Sequence, residues 1–106
     1  MSEGADEGTP EACRVDVWLW RARFFKTRSL AARAVEDGGV RATRGGARIP
    51  LDKPSRLVRC GDVLVFANGA RWSVVRILGL GERRGPASEA RALYAALPAA
   101  DEAEGG

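Results

Sequence analysis

The sequence predicts an α+β domain: two helices packed on a small antiparallel β-sheet, with a short C-terminal helix. Three observations carry this. Val15, Trp18, Leu19 and Ala22 fall at i, i+3, i+4 and i+7, one apolar face of a helix. Residues 24–40, FFKTRSLAARAVEDGGV, read as a turn, a second helix and the start of a strand. Residues 62–78, DVLVFANGARWSVVRIL, set Asn68-Gly69 between two β-rich runs, the usual signal of a tight hairpin.

The elements follow in order. Residues 1–12 hold Glu3, Asp6, Glu7 and Glu11, no basic residue and too few apolar groups to offset ordering entropy, so they are expected to be a disordered acidic tail. Residues 99–106, with Asp101, Glu102 and Glu104, are expected to be a second one. The folded domain is then 13–98. Asp16 stands in the first turn of the first helix, where a carboxylate suits the dipole and can cap. Thr27 is the expected N-cap of the second helix and Gly38 the residue that ends it. Only a few residues around Phe24, Phe25 and Lys26 join the two helices, so they pack as a close pair. VRAT and ARI are short strands about Gly45-Gly46. Val63, Val65 and Ala67 alternate with Leu64 and Phe66, which suggests a strand buried on both faces. Residues 85–97, GPASEARALYAAL, place Ala90, Leu93, Tyr94 and Leu97 on one face of a last helix that packs against the body. The order is α-α-β-β-β-β-α.

Charge narrows the function. All 17 Lys and Arg lie within residues 13–98, with only 7 of the 14 acids, so the body carries an excess of ten positive charges. A compact body so charged attracts polyanions. Fifteen of the 17 are Arg, which suits bidentate phosphate contacts. On a helical wheel Arg28, Ser29, Ala32, Arg33 and Glu36 span about 140°, opposite Leu30, Ala31, Ala34 and Val35, which are expected to face the core. Arg21, Arg23 and Lys26 from the first helix and turn, and Arg41 from the first strand, extend the same basic surface. Small residues between the arginines admit close approach of a nucleic-acid backbone, as recognition of folded RNA requires. A DNA reader would offer Asn or Gln from its second helix; this chain has no Gln, and its one Asn lies in the hairpin.

The stretch RVDVWLWRARFFKTRSLAARAVEDGGVRA resembles the RNA-binding domain named after ribosomal protein S4, the two-helix alpha-L motif. More narrowly, WLWRARFFKTRSLA together with RRGPASEARALY resembles the ribosome-associated heat-shock protein 15 family, over roughly residues 14–97. The resemblance implies two helices on a small antiparallel sheet and no catalysis. It implies binding to ribosomal RNA and peptidyl-tRNA on large ribosomal subunits left by abortive translation, in rescue or recycling under stress. Carried over by position, the RNA-facing set is Arg14, Arg21, Arg23, Lys26, Thr27, Arg28, Ser29, Arg33 and Arg41. Lys53 and Arg56 are expected to extend that surface beside the sheet. Two features depart from the family: Val17 stands where a Lys is usual, and the chain ends acidic where many members end in a basic tail.

Other classes fit less well. The chain has no His, its two cysteines, Cys13 and Cys60, lack metal-ligand spacing, and no pair of acids is placed for general acid–base work. No enzyme, cofactor, metal or small-molecule substrate is therefore expected. No apolar run approaches a membrane span, and no signal-peptide pattern is present, so a cytoplasmic monomer with reduced thiols is expected. The alternative function is a general structured-RNA or DNA-binding module without ribosome specificity. Among the aromatics, Trp18, Phe25 and Trp72 are expected in the core, while Trp20 and Phe24 suit either packing or base stacking.

Overall fold

The computed structural model describes residues 8–9 and 11–98. In chain order these form β1 (Gly8–Thr9), β2 (Ala12–Arg14), α1 (Val15–Arg21), α2 (Arg28–Glu36), β3 (Val40–Arg44), β4 (Ala47–Ile49), β5 (Leu57–Val58), β6 (Val63–Asn68), β7 (Arg71–Ile77), α3 (Ala87–Arg91) and β8 (Tyr94–Ala96). Five strands make an antiparallel sheet in the order β4-β3-β6-β7-β8, and β1-β2-β5 make a smaller one. The fold is the expected α+β arrangement. Residues 1–7, 10 and 99–106 of the two acidic ends lie outside the described residues, while Gly8–Thr9 pairs with Ala12 and Cys13.

The helices cover one face of the large sheet. Trp18 and Leu19 of α1 and Ala31 and Val35 of α2 are buried with Val40, Ala42, Leu64, Phe66, Val75 and Ile77 of the sheet. Trp18 has no exposed surface, and its indole Nε1–H donates to the Gly79 carbonyl at 2.8 Å. Gly45 and Gly46, with φ of 60° and 84°, make the β3–β4 turn that their sequence signals. Gly69, with φ of 71°, turns the β6–β7 hairpin.

Four local expectations are corrected. The strand β6 is buried on one face only: Leu64 and Phe66 are buried, Val63 and Val65 half-buried, and Ala67 exposed, because the helices pack on one side. The last helix stops at Arg91, and Tyr94–Ala96 turns into a strand. That strand pairs Tyr94 with Ile77 and Ala96 with Val75, which satisfies an edge of β7 that a longer helix would leave open. Trp72 is 62% exposed, since it alternates away from the buried Val75 and Ile77. Asp16 does not cap α1: the amides of Val15 and Asp16 donate to the Arg56 and Pro54 carbonyls at 2.8 and 3.4 Å. The Asp16 carboxylate is buried and pairs with Arg14 instead.

Candidate nucleic-acid interface

The turn between the helices is set by how each helix ends. After Ala22, Arg23 takes a left-handed φ of 67°, unusual for a residue with a side chain. Its amide returns to the Trp20 carbonyl at 3.0 Å, and that of Phe24 to the Leu19 carbonyl at 3.1 Å, the paired bonds of a Schellman closure. The closure turns Phe24 inward. Its ring lies 4.6 Å from Tyr94, 4.9 Å from Phe66 and 6.1 Å from Trp18, so Phe24 packs. Phe25 is half-buried against the same core. Thr27 then caps α2 as expected, its Oγ1 accepting the Leu30 amide at 3.0 Å. Gly38, with φ of 79°, ends α2 with amide bonds from Gly38 to Val35 and from Gly39 to Ala34.

Along α2 the buried strip is Ala31 and Val35, four residues apart. Ser29, Arg33 and Glu36 are exposed, and Arg28 is half-buried. Leu30, expected in the core, is 49% exposed because it falls one position off that strip. The helix therefore presents Arg28, Ser29, Leu30 and Arg33 outward, with exposed Lys26 just before it. Lys26 and Arg33 have no ion-pair partner among the described residues, and neither does Arg41.

The other members of the sequence-derived set sit differently. Arg14 is held in a two-pronged pair with the buried Asp16, at 3.1 and 2.9 Å. Arg21 Nη1 donates to the Gly81 carbonyl at 2.9 Å and to the Leu80 carbonyl at 3.4 Å. Arg23 Nε donates to the Gly85 carbonyl at 2.8 Å. These two arginines thus tie the helix pair to the 79–85 segment. Arg41 alternates with the buried Val40 and Ala42, so it lies on the sheet face turned away from the helices. Lys53 is exposed, and Arg56 Nε donates to Asp52 at 2.6 Å. That hydrogen bond holds the Asp52 carboxyl below its ordinary range and raises Arg56. Arg44 is likewise raised, chiefly by its hydrogen bond to Asp62, which is 1% exposed.

One residue at the site escaped the sequence reading. Arg84 Nε donates to the Trp20 carbonyl at 3.1 Å, and its guanidinium carbon lies 6.0 Å from the Trp20 ring. Arg28 approaches the same half-buried ring at 5.9 Å. Nothing near Arg84 in sequence signals this, since Trp20 is distant along the chain.

The solved structure of Vibrio cholerae heat shock protein 15, described as trimeric, matches this fold with a TM-score of 0.70 and 37% identity, covering 90% of this chain and 89% of that one. The chain belongs to the heat-shock protein 15 family. Heat shock protein 15 of Escherichia coli strain K12 is 42% identical over 81 residues, or 76% of this chain and 57% of that protein. The heat shock protein 15 homolog of Haemophilus influenzae is 37% identical over 81 residues, 76% of this chain and 58% of the homolog. The match thus spans less than two thirds of these curated relatives. A family model for the S4 domain matches residues 13–41. That RNA-binding domain comprises β2, α1, α2 and the start of β3. Within this heat-shock protein 15 family member, it contains every sequence-derived candidate except Lys53 and Arg56.

Proposed function

We propose that this protein binds ribosomal RNA and peptidyl-tRNA on the large ribosomal subunit, without catalysis or cofactor, in rescue or recycling of obstructed subunits in the cytoplasm. The observation that carries the reading is the outer face of α2. Arg33 and the neighbouring Arg28 are presented from a capped helix with Lys26 just before it, and the acids paired elsewhere do not neutralise Lys26 or Arg33. Charges held on a fixed scaffold contact phosphates without the ordering cost that a flexible tail bears. Ser29 between Arg28 and Arg33 leaves room for the sugar–phosphate backbone to come close. Thr27 acts indirectly in this reading, since its hydroxyl accepts the Leu30 amide and fixes where Arg28 and Ser29 stand. Arg21 and Arg23 add positive potential while bracing the surface from behind.

Titration of a ribosomal-RNA stem-loop against rising salt tests this. With about six phosphates neutralised, log K falls with log salt at a slope of roughly −4 to −5. The double variant Arg28→Ala, Arg33→Ala lowers affinity and flattens the slope by about 2, and duplex DNA competes poorly. An unchanged affinity in the double variant, or equal competition by DNA, contradicts the reading. The protein acts as a monomer in this account. Light scattering checks that against a trimer like the one described for the Vibrio cholerae protein.

A further inference from the structure

We propose that the sheet face turned away from the helices is a second nucleic-acid surface, one that takes an unpaired RNA segment with a base stacked on Trp72. The strand register defines this face. Arg48, Thr43, Val63, Arg76 and Ala95 form one row across β4, β3, β6, β7 and β8. Arg41, Val65 and Val74 form the next, and Ala67 with Trp72 closes the hairpin end. The opposite side of the same strands carries the buried Ala42, Leu64, Phe66, Val75 and Ile77.

Three features of this face point to an unpaired strand. Trp72 is 62% exposed, a large apolar ring left in water where the fold needs no ring. Val63, Val65 and Val74 beside it are only half-buried, so the apolar strip continues along the strands. Arg41, Arg48 and Arg76 are exposed on the same face, the rows of the strand register hold no acid among the described residues, and none of the three has an ion-pair partner among them. Asp52, which lines a pocket with Arg41 and Arg48 at the edge, is taken by Arg56.

An open apolar strip with a basic surround fits a ligand with flat faces and a negative backbone. Arg48 and Arg76 stand three strands apart, about 14 Å. Trp72 lies four residues along β7 from Arg76, about 13 Å. An extended single strand reaches between such points, while a duplex hides its base faces and offers nothing for Trp72 to stack on. A second copy of the chain docked face to face is disfavoured, because two such faces would set arginines against arginines. The surface is distinct from the α2 face. Of the sequence-derived set, Arg41 alone lies on it.

The proposal extends the RNA-binding reading and is tested beside it with two labelled probes, a single-stranded oligouridine and a ribosomal-RNA stem-loop, on the full chain. Wild-type protein is expected to bind both. Trp72→Ala weakens oligouridine about tenfold and leaves the stem-loop within about twofold, while Trp72→Phe restores most of the loss. Arg48→Ala and Arg76→Ala each lower the oligouridine salt slope by about 1. Thermal unfolding confirms that each variant is folded. If the stem-loop binds and oligouridine does not, or if Trp72→Ala binds oligouridine like wild type, the second surface is refuted and the α2 reading stands. If neither probe binds, both readings fall. If Trp72→Ala dissociates an oligomer without changing oligouridine affinity, the face is a contact between copies and the proposal is overturned.

Discussion

Arginines on this surface divide into those that brace and those that reach outward, and Arg21→Ala separates the two. Arg21 is half-buried, and its Nη1 donates to the Gly81 and Leu80 carbonyls at 2.9 and 3.4 Å. The shorter bond is a charge-assisted one of good geometry, and the longer is weak. Losing the pair costs about 2 kcal/mol, since a hydrogen bond to a charged group contributes about 1.5–3 kcal/mol. For a domain of this size that lowers Tm by about 10 °C. Arg33→Ala removes an exposed side chain with no partner among the described residues, so its cost stays within about 0.5 kcal/mol. The two variants carry the same change in charge, so calorimetry with a stem-loop binding titration distinguishes bracing from contact. Arg21→Lys keeps the charge, but its ammonium does not reproduce the placement of Nη1 against the Gly81 and Leu80 carbonyls, so it recovers only part of the lost Tm. An Arg21→Ala variant that melts with wild type would refute the bracing role.

Two further outcomes follow from the ion pairs. Asp62 accepts Arg44 Nε and Nη2 at 2.8 and 2.9 Å and the Arg59 amide at 2.8 Å, so Asp62→Ala destabilises by about 2–3 kcal/mol in a urea titration; a midpoint equal to wild type would contradict the pairing. Asp52 has its pKa lowered by Arg56, so this pair's contribution is complete above the ordinary carboxylate value of about 4 and fades as pH falls through the lowered one. Asp52→Asn is therefore slightly less stable than wild type at neutral pH and converges with it in acid, and a gap that widens on acidification would be the wrong sign.

Much of this fold is readable locally. The spacing of Val15, Trp18 and Leu19, the Thr27 cap and the Gly38 stop depend on neighbours within one or two helical turns, and the structure has all of them. What escaped depends on distant partners. Tyr94 becomes strand because Ile77 is there to pair with it. Cys13 pairs with Val58 in a small sheet that neither segment announces. Trp72 and Leu30 are hydrophobic enough to suggest core, yet exposure is decided by which face the neighbouring elements cover. The same limit applies to the basic residues. Sequence shows that Arg21 is charged, but its acceptor at Gly81 stands 60 residues away. The charge of the candidate surface was thus legible, while the division of labour within it required the fold.

Co-sedimentation with purified large ribosomal subunits, at near-physiological salt, tests the functional proposal most directly. One sample carries peptidyl-tRNA and the other is empty. The proposal predicts clear preference for the tRNA-bearing subunits, reduced in the Arg28→Ala, Arg33→Ala variant. Equal binding to both samples would contradict a role on obstructed subunits and leave a general ribosomal-RNA binder, and no binding to either would remove the ribosome from the account.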